Sequence, residues 1–187
     1  MRATLFAAFL LFALAASAAE VAGVKIDDKT RIGATELTLN GAGLRKRAFF
    51  QVYAIGLYVQ QKSANAATVI EQPGPKRVAI HMLRDVGADA FNEALAEGIR
   101  ANHPEAEVKA LEPRLKELGA VIGGVGEAKK GMAIHLDWTG SETQVVIQGK
   151  PVGKPIAGED FYRALLRIWV GDRPVQDDLK KALLGGG

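Results

Sequence analysis

The 187-residue chain contains no cysteine. That excludes disulfides, thiol catalysis and every cysteine-based metal site. Histidine is scarce too, with only His81, His103 and His135. His135 and Asp137 lie two apart on one predicted strand, but a pair without a third ligand makes no metal site, so no metal is expected. There is no Gly-x-Ser-x-Gly elbow and no His-Glu-x-x-His pair, which removes two common hydrolase arrangements. Gly123-Gly124-Val125-Gly126 is rich in glycine but carries no Gly-Lys-Ser/Thr. Helical sequence precedes it where a phosphate-binding loop requires a strand. Charge of one sign is also scarce: 24 Lys+Arg face 21 Asp+Glu. Arg45-Lys46-Arg47 is the longest basic run, and the pairs Lys76-Arg77, Lys129-Lys130 and Lys180-Lys181 are dispersed along the chain. Nucleic-acid binders gather their bases on one face, so no nucleic-acid partner is expected.

What is present begins with an apolar leader. Met1-Arg2 gives a positive start, and Ala3 to Ala16 is apolar except for Thr4. Ala16-Ser17-Ala18-Ala19 supplies small residues for cleavage. Residues 1–19 read as a secretory signal peptide, too short for a membrane span. No stable membrane insertion is expected after its removal. An exported chain without disulfides suits a bacterial periplasm. Residues 20–187 are the length of one ordinary domain with a real core.

Val21 to Ile26 and Arg31 to Asn40 read as short strands, and Asn40-Gly41-Ala42-Gly43 as a turn. The stretch from Arg45 to Gln60 reads as one long strand, apolar on both faces from Ala48 to Val59. Such a strand belongs in mid-sheet with something packed on each side. Ser63 caps a short helix ending at Gln72-Pro73-Gly74-Pro75. Arg77 to Leu83 is a strand. Phe91, Leu95 and Ile99 then mark an amphipathic helix over 88–102. A second helical segment follows, with a kink expected at Pro113 and a stop at Gly119. Gly131 to Trp138 and Thr143 to Ile147 alternate as strands. Two helices close the chain, with Gly171 ending the first and Pro174 opening the second. Segregated strands and helices predict an α+β fold, an antiparallel sheet with helices packed on one face.

One pair of residues suggests chemistry. Arg45 and Tyr53 fall on the same face of the predicted strand. A guanidinium fork beside a phenol holds a carboxylate or an enolate. The plainer reading is a solvated basic strand end and a core tyrosine.

Several segments together resemble the chalcone isomerase-like family, specifically its exported bacterial branch. They are Leu39-Asn40-Gly41-Ala42-Gly43-Leu44-Arg45 and Phe50-Gln51-Val52-Tyr53-Ala54-Ile55-Gly56-Leu57-Tyr58. Gln148-Gly149-Lys150, Gly158-Glu159-Asp160-Phe161, Leu165 to Pro174 and Leu183-Leu184-Gly185 follow in order. The resemblance implies an antiparallel sheet wrapped by helices with a ligand cleft between them, and no cofactor. The plant enzymes of the family close a chalcone ring with an arginine, a strand threonine, a helix tyrosine and asparagine, and a late serine or threonine. The arginine falls on Arg45, although this chain is shorter between Arg45 and Gly56. The threonine falls on Tyr53, the tyrosine on Phe91, and the asparagine at or near Gly98. Only the arginine survives, which implies little or no chalcone isomerase activity. A non-catalytic branch of the family binds fatty acids through an arginine and a strand tyrosine. Arg45 and Tyr53 match that pair, with Ile55, Phe91 and Leu95 as the expected apolar lining. The expected ligand is a small amphipathic or fatty carboxylate. Two other readings stay open: a cofactor-independent isomerase or intramolecular lyase using Arg45 and Tyr53, and an envelope interaction protein with a closed cleft.

Overall fold

The computed structural model describes residues 18–186. The expected signal peptide, residues 1–19, lies outside them except for Ala18 and Ala19, which are described as the start of the first strand. Three short strands and one long one open the chain: β1 (Ala18–Val21), β2 (Val24–Asp27), β3 (Lys29–Ile32) and the long β4 (Thr35–Arg47). Then come β5 (Phe50–Val59), α1 (Ala66–Glu71), β6 (Lys76–Met82) and β7 (Val86–Gly87). Helices α2 (Ala88–Asn102) and α3 (Glu105–Gly123) follow, then β8 (Glu127–Ala128). The chain ends with β9 (Ala133–Trp138), β10 (Glu142–Ile147), β11 (Lys150–Ala157), α4 (Glu159–Val170) and α5 (Asp177–Leu183).

Seven strands form one antiparallel sheet in the order β11-β10-β9-β6-β5-β4-β3. Strand β5 is interior, as its two apolar faces require. Alternation along it splits the core in two. Tyr53, Ile55, Leu57 and Val59 join the large core under the helices, while Ala54 and Tyr58 join a small core on the other face. The β1–β2 hairpin covers that second face through Val21, Val24 and Ile26. The α+β architecture with helices on one face is therefore present, and the two-strand hairpin is what shields the reverse side. Helix α4 is the central helix. Eight of its twelve residues are buried, among them Phe161, Tyr162, Leu165, Ile168 and Trp169. Each such large side chain stabilises the fold by about 1.5–3 kcal/mol on burial.

Several expectations are corrected. Arg45 to Arg47 do not share a strand with Tyr53. They end β4, the chain reverses at Ala48-Phe49, and β5 begins at Phe50. Ala48 takes a φ of 51° to make that reversal. On one continuous strand Arg45 and Tyr53 would sit roughly 26 Å apart. The hairpin instead places them directly opposite each other in the ladder.

Asn40-Gly41-Ala42-Gly43 is not a turn. It is the middle of β4, with a register shift between Leu39 and Gly41. Its glycines exist for α5. A Cβ on Gly41 would stand 2.1 Å from the Ala182 carbonyl oxygen, and one on Gly43 would stand 2.6 Å from Leu179 Cδ1. Asn40 completes the dock, donating from Nδ2 to the Leu183 carbonyl at 2.7 Å and accepting from Ser63 N at 2.8 Å.

The cap of α1 is Asn65, whose side chain accepts from Thr68 N at 2.9 Å; Ser63 stands two residues earlier. Helix α3 runs unbroken through Pro113 and Gly119. Pro113 and Lys109 are both on the exposed side, so the carbonyl that loses its partner meets water. Pro174 does not open α5, which starts three residues later behind Gln176.

Candidate functional site

The open end of the sheet holds a cavity of about 750 Å³. That size falls in the range of about 300–1,000 Å³ common to small-molecule sites. Its walls are the β4–β5 hairpin, the end of β6, helix α2, the C-terminal part of α4 and the loop from Arg173 to Val175. Ile80, Met82, Phe91, Leu95, Ile168 and Trp169 make its interior apolar. Arg45, Arg47, Arg84 and Arg173 ring it, against the carboxylates of Asp85 and Glu97. The cavity thus combines a hydrocarbon-like interior with a positive rim.

Arg45 reaches it because β4 and β5 pair in the register Arg45↔Tyr53. Gln176, in the loop before α5, clamps this strand end. Its Oε1 accepts from Lys46 N at 2.9 Å and from Arg45 Nη1 at 3.4 Å, and its Nε2 donates to the Leu44 carbonyl at 3.2 Å. Arg45 Nη1 also donates to the Lys46 carbonyl at 2.6 Å. All described hydrogen bonds of the guanidinium run through Nη1, so its remaining donors stay available to a ligand.

Tyr53 is partly buried, and its hydroxyl oxygen accepts a hydrogen bond from Trp169 Nε1 at 2.9 Å. Burial raises the phenol above its ordinary value of 10.0, against smaller opposing effects of the Trp169 N–H and the Arg45 guanidinium. The phenol is therefore protonated at neutral pH. Since its oxygen accepts from the indole, its proton is left to donate into the cavity. A protonated phenol beside a guanidinium is a donor set for an anion.

The five residues singled out from the sequence divide. Arg45, Tyr53, Phe91 and Leu95 all line the cavity. Ile55 does not. It points to the same face as Tyr53 but sits two residues deeper, fully buried and sealed by Leu166, Trp169, Val170 and Leu183. Phe91 lies in the wall with no group to donate a hydrogen bond. Gly98 lies there too, where α2 and α4 touch: an added Cβ would stand 2.7 Å from Ile168 Cγ2. Trp169, Gln176, Arg84 and Arg173 were not legible as site residues. Trp169 carries an apolar helix signature that is satisfied by core packing alone, and the others have no local signal.

His135 and Asp137 do not share a ligand. Both face away from the helices, and Asp137 is taken by Arg77 in a two-pronged ion pair at 2.6 Å for each contact. Among the described residues no group of three or more metal-ligating side chains converges.

The family model described as chalcone isomerase-like matches residues 18–185. The chain belongs to the chalcone isomerase-like family. Among solved structures it is similar to a fatty-acid binding protein of Arabidopsis thaliana, with a TM-score of 0.69 and 17% sequence identity. That likeness covers 87% of this chain and 92% of the plant protein, and at this identity it establishes the shared fold. No curated protein matches the sequence.

Proposed function

We propose that the protein is a non-catalytic binder of a small amphipathic or fatty carboxylate. The observation that carries this reading is the placement of Arg45 and the protonated Tyr53 side by side on the wall of an apolar cavity of about 750 Å³. The carboxylate takes a charge-assisted bond from the Arg45 guanidinium and a second from the Tyr53 hydroxyl. Hydrogen bonds to charged groups contribute about 1.5–3 kcal/mol each. The chain of the ligand runs inward over Met82, Phe91, Leu95 and Ile168. The plant structural neighbour is a fatty-acid binding protein, which supports the same ligand class.

The site is poorly equipped for turnover. Phe91 stands in the cavity where the resemblance implies a phenol in the ring-closing enzymes, and Tyr53 stands in place of their strand threonine. No observation favours the isomerase or lyase reading over binding. The apolar leader and the absence of cysteine support membership of the exported bacterial branch and a periplasmic location.

Native mass spectrometry of protein expressed to the periplasm tests the reading. Co-purified fatty carboxylate, or saturable uptake of palmitate in titration, is the expected result, with Arg45→Ala weakening it at least tenfold. A ligand-free protein that also ignores fatty acids in titration would sink it.

A further inference from the structure

Phe49 is completely exposed and Phe50 is 58% exposed; they are the exposed large hydrophobic side chains among the described residues. They sit together at the tip of the β4–β5 hairpin, on a two-residue reversal that turns Phe49 away from all packing. Two phenyl rings in water at one loop tip call for an explanation.

The surroundings supply one. Two of the basic runs of the sequence, Arg45-Lys46-Arg47 and Lys129-Lys130, converge on this end of the sheet. Lys46 and Arg47 flank the tip, and the Arg84 guanidinium lies 4.4 Å above the Phe50 ring. The loop carrying Arg84 is tied to β5 by Leu83 N donating to the Val52 carbonyl at 3.0 Å. It is tied in turn to the Lys129-Lys130 turn, where Lys130 N donates to Asp85 Oδ1 at 2.7 Å. Lys129 is held by Glu127 and Asp85. Lys46, Arg47, Arg84 and Lys130 are exposed and make no ion pair among the described residues.

We infer that this tip is a docking surface for an anionic lipid bilayer. Phe49 and Phe50 enter the boundary between headgroups and acyl chains, and the four unpaired bases meet lipid phosphates. The long basic side chains suit this, since their stems lie along apolar surface while their charges stay with the headgroups. A second copy of the chain is a poorer occupant: it would set the same bases against one another. Peripheral docking also needs no spanning segment, and among the described residues no helix is long and apolar enough to cross a membrane.

The tip is continuous with the cavity. Arg47, Ala48, Phe50 and Arg84 belong to both. Docking therefore places the cavity mouth on the bilayer, where a fatty carboxylate enters or leaves without crossing water. The docking surface stands on the hairpin tip and the bases around it; its coupling to the cavity rests on the fatty-carboxylate reading.

Co-sedimentation with vesicles tests it. The protein is mixed with vesicles of phosphatidylglycerol and phosphatidylcholine, and with phosphatidylcholine alone. The expected result is binding to the anionic vesicles that weakens as salt rises, since screening shortens to about 10 Å at 0.1 M. Phe49→Ser should weaken it roughly tenfold, the loss of one inserted aromatic ring. Lys46→Glu should weaken it about fivefold or more. Neither side chain lines the cavity, so palmitate titration without vesicles stays at the wild-type value in both variants. Absence of sedimentation with anionic vesicles at low salt overturns the inference, as does Phe49→Ser sedimenting like wild type. Self-association abolished by Phe49→Ser, without vesicle binding, also overturns it and assigns the tip to a second copy. Vesicle binding without palmitate binding keeps the docking surface and removes the cavity reading; the reverse pattern does the opposite.

Discussion

The Trp169 indole donates its N–H to the Tyr53 hydroxyl at 2.9 Å, joining α4 to β5 beside the cavity. This single bond orients the phenol, because an oxygen that accepts from the indole must send its own proton elsewhere. Tyr53→Phe removes the ligand donor and also strands a buried indole N–H, a cost of about 1–3 kcal/mol. Arg45→Ala removes a charge-assisted ligand contact but only loosens one strand end. The expected pattern is a lowered melting temperature and about tenfold weaker palmitate binding for Tyr53→Phe. Arg45→Ala should lose at least as much affinity with little change in melting. Isothermal titration alongside thermal denaturation separates the two.

Gly41→Ala should release α5. The added methyl would sit 2.1 Å from a backbone oxygen of Ala182, and backbone cannot swing aside as a side-chain tip can. Overpacking of this kind costs about 1–3 kcal/mol or more. Hydrogen exchange should show the amides of 177–184 losing protection ahead of the sheet. Unchanged protection of α5 would refute the dock.

Asp137→Asn should be among the most damaging single changes. Arg77 and Asp137 are 12% and 6% exposed, and the variant leaves the guanidinium without its charge partner. Breaking one side of such a pair costs about 3–5 kcal/mol. The double change Arg77→Met with Asp137→Leu should recover much of the loss in urea unfolding, because no lone buried charge remains.

Stability should fall on mild acidification. Burial, with the nearby Arg77 charge, pushes the His135 imidazole from 6.5 down to about 4. Burial lowers His81 in the same direction, its ring centroid 6.3 Å from that of His135. A folded value below the unfolded one means that the unfolded chain binds the proton first. The stability is therefore complete above about pH 6.5 and is lost as pH falls toward 4, by about 3 kcal/mol for His135. His135→Leu should flatten most of this slope in urea titrations compared at pH 7, 5.5 and 4.5. A slope identical to wild type would count against it.

Chalcone turnover should be absent. Phe91 offers no donor to a ketone oxygen, and one such donor contributes about 2.7–4 kcal/mol to a transition state. Ring closure followed by loss of chalcone absorbance should match the uncatalysed rate. A rate well above that, abolished in Arg45→Ala, would restore the enzyme reading.

Much of the architecture was legible because it rests on local periodicity. The helix over 88–102 and the strands of β6, β9 and β10 follow from where apolar residues recur, and their bounds differ by only a few residues from those read directly. The failures have a common cause. Asn40-Gly41-Ala42-Gly43 has turn composition, yet its glycines answer to a helix more than a hundred residues away. Pro113 looks like a breaker but faces water. Ile55 has the right face but the wrong depth. In each case a distant element, or the solvent, decides what local propensity leaves open.

The sequence by itself determined the α+β class, the interior position of β5, and the identity of Arg45 and Tyr53 as the pair to watch. Those conclusions need only residue type, periodicity and resemblance. Tertiary structure alone decided that the pair meets across a hairpin rather than along a strand. It also placed Trp169 and Gln176 beside that pair, and brought Lys129-Lys130 to the end of the sheet that carries Arg45-Lys46-Arg47 and two bare phenyl rings. The reason is physical: hydrogen-bond register and long-range packing fix distances between residues far apart in the chain, and no local pattern encodes them.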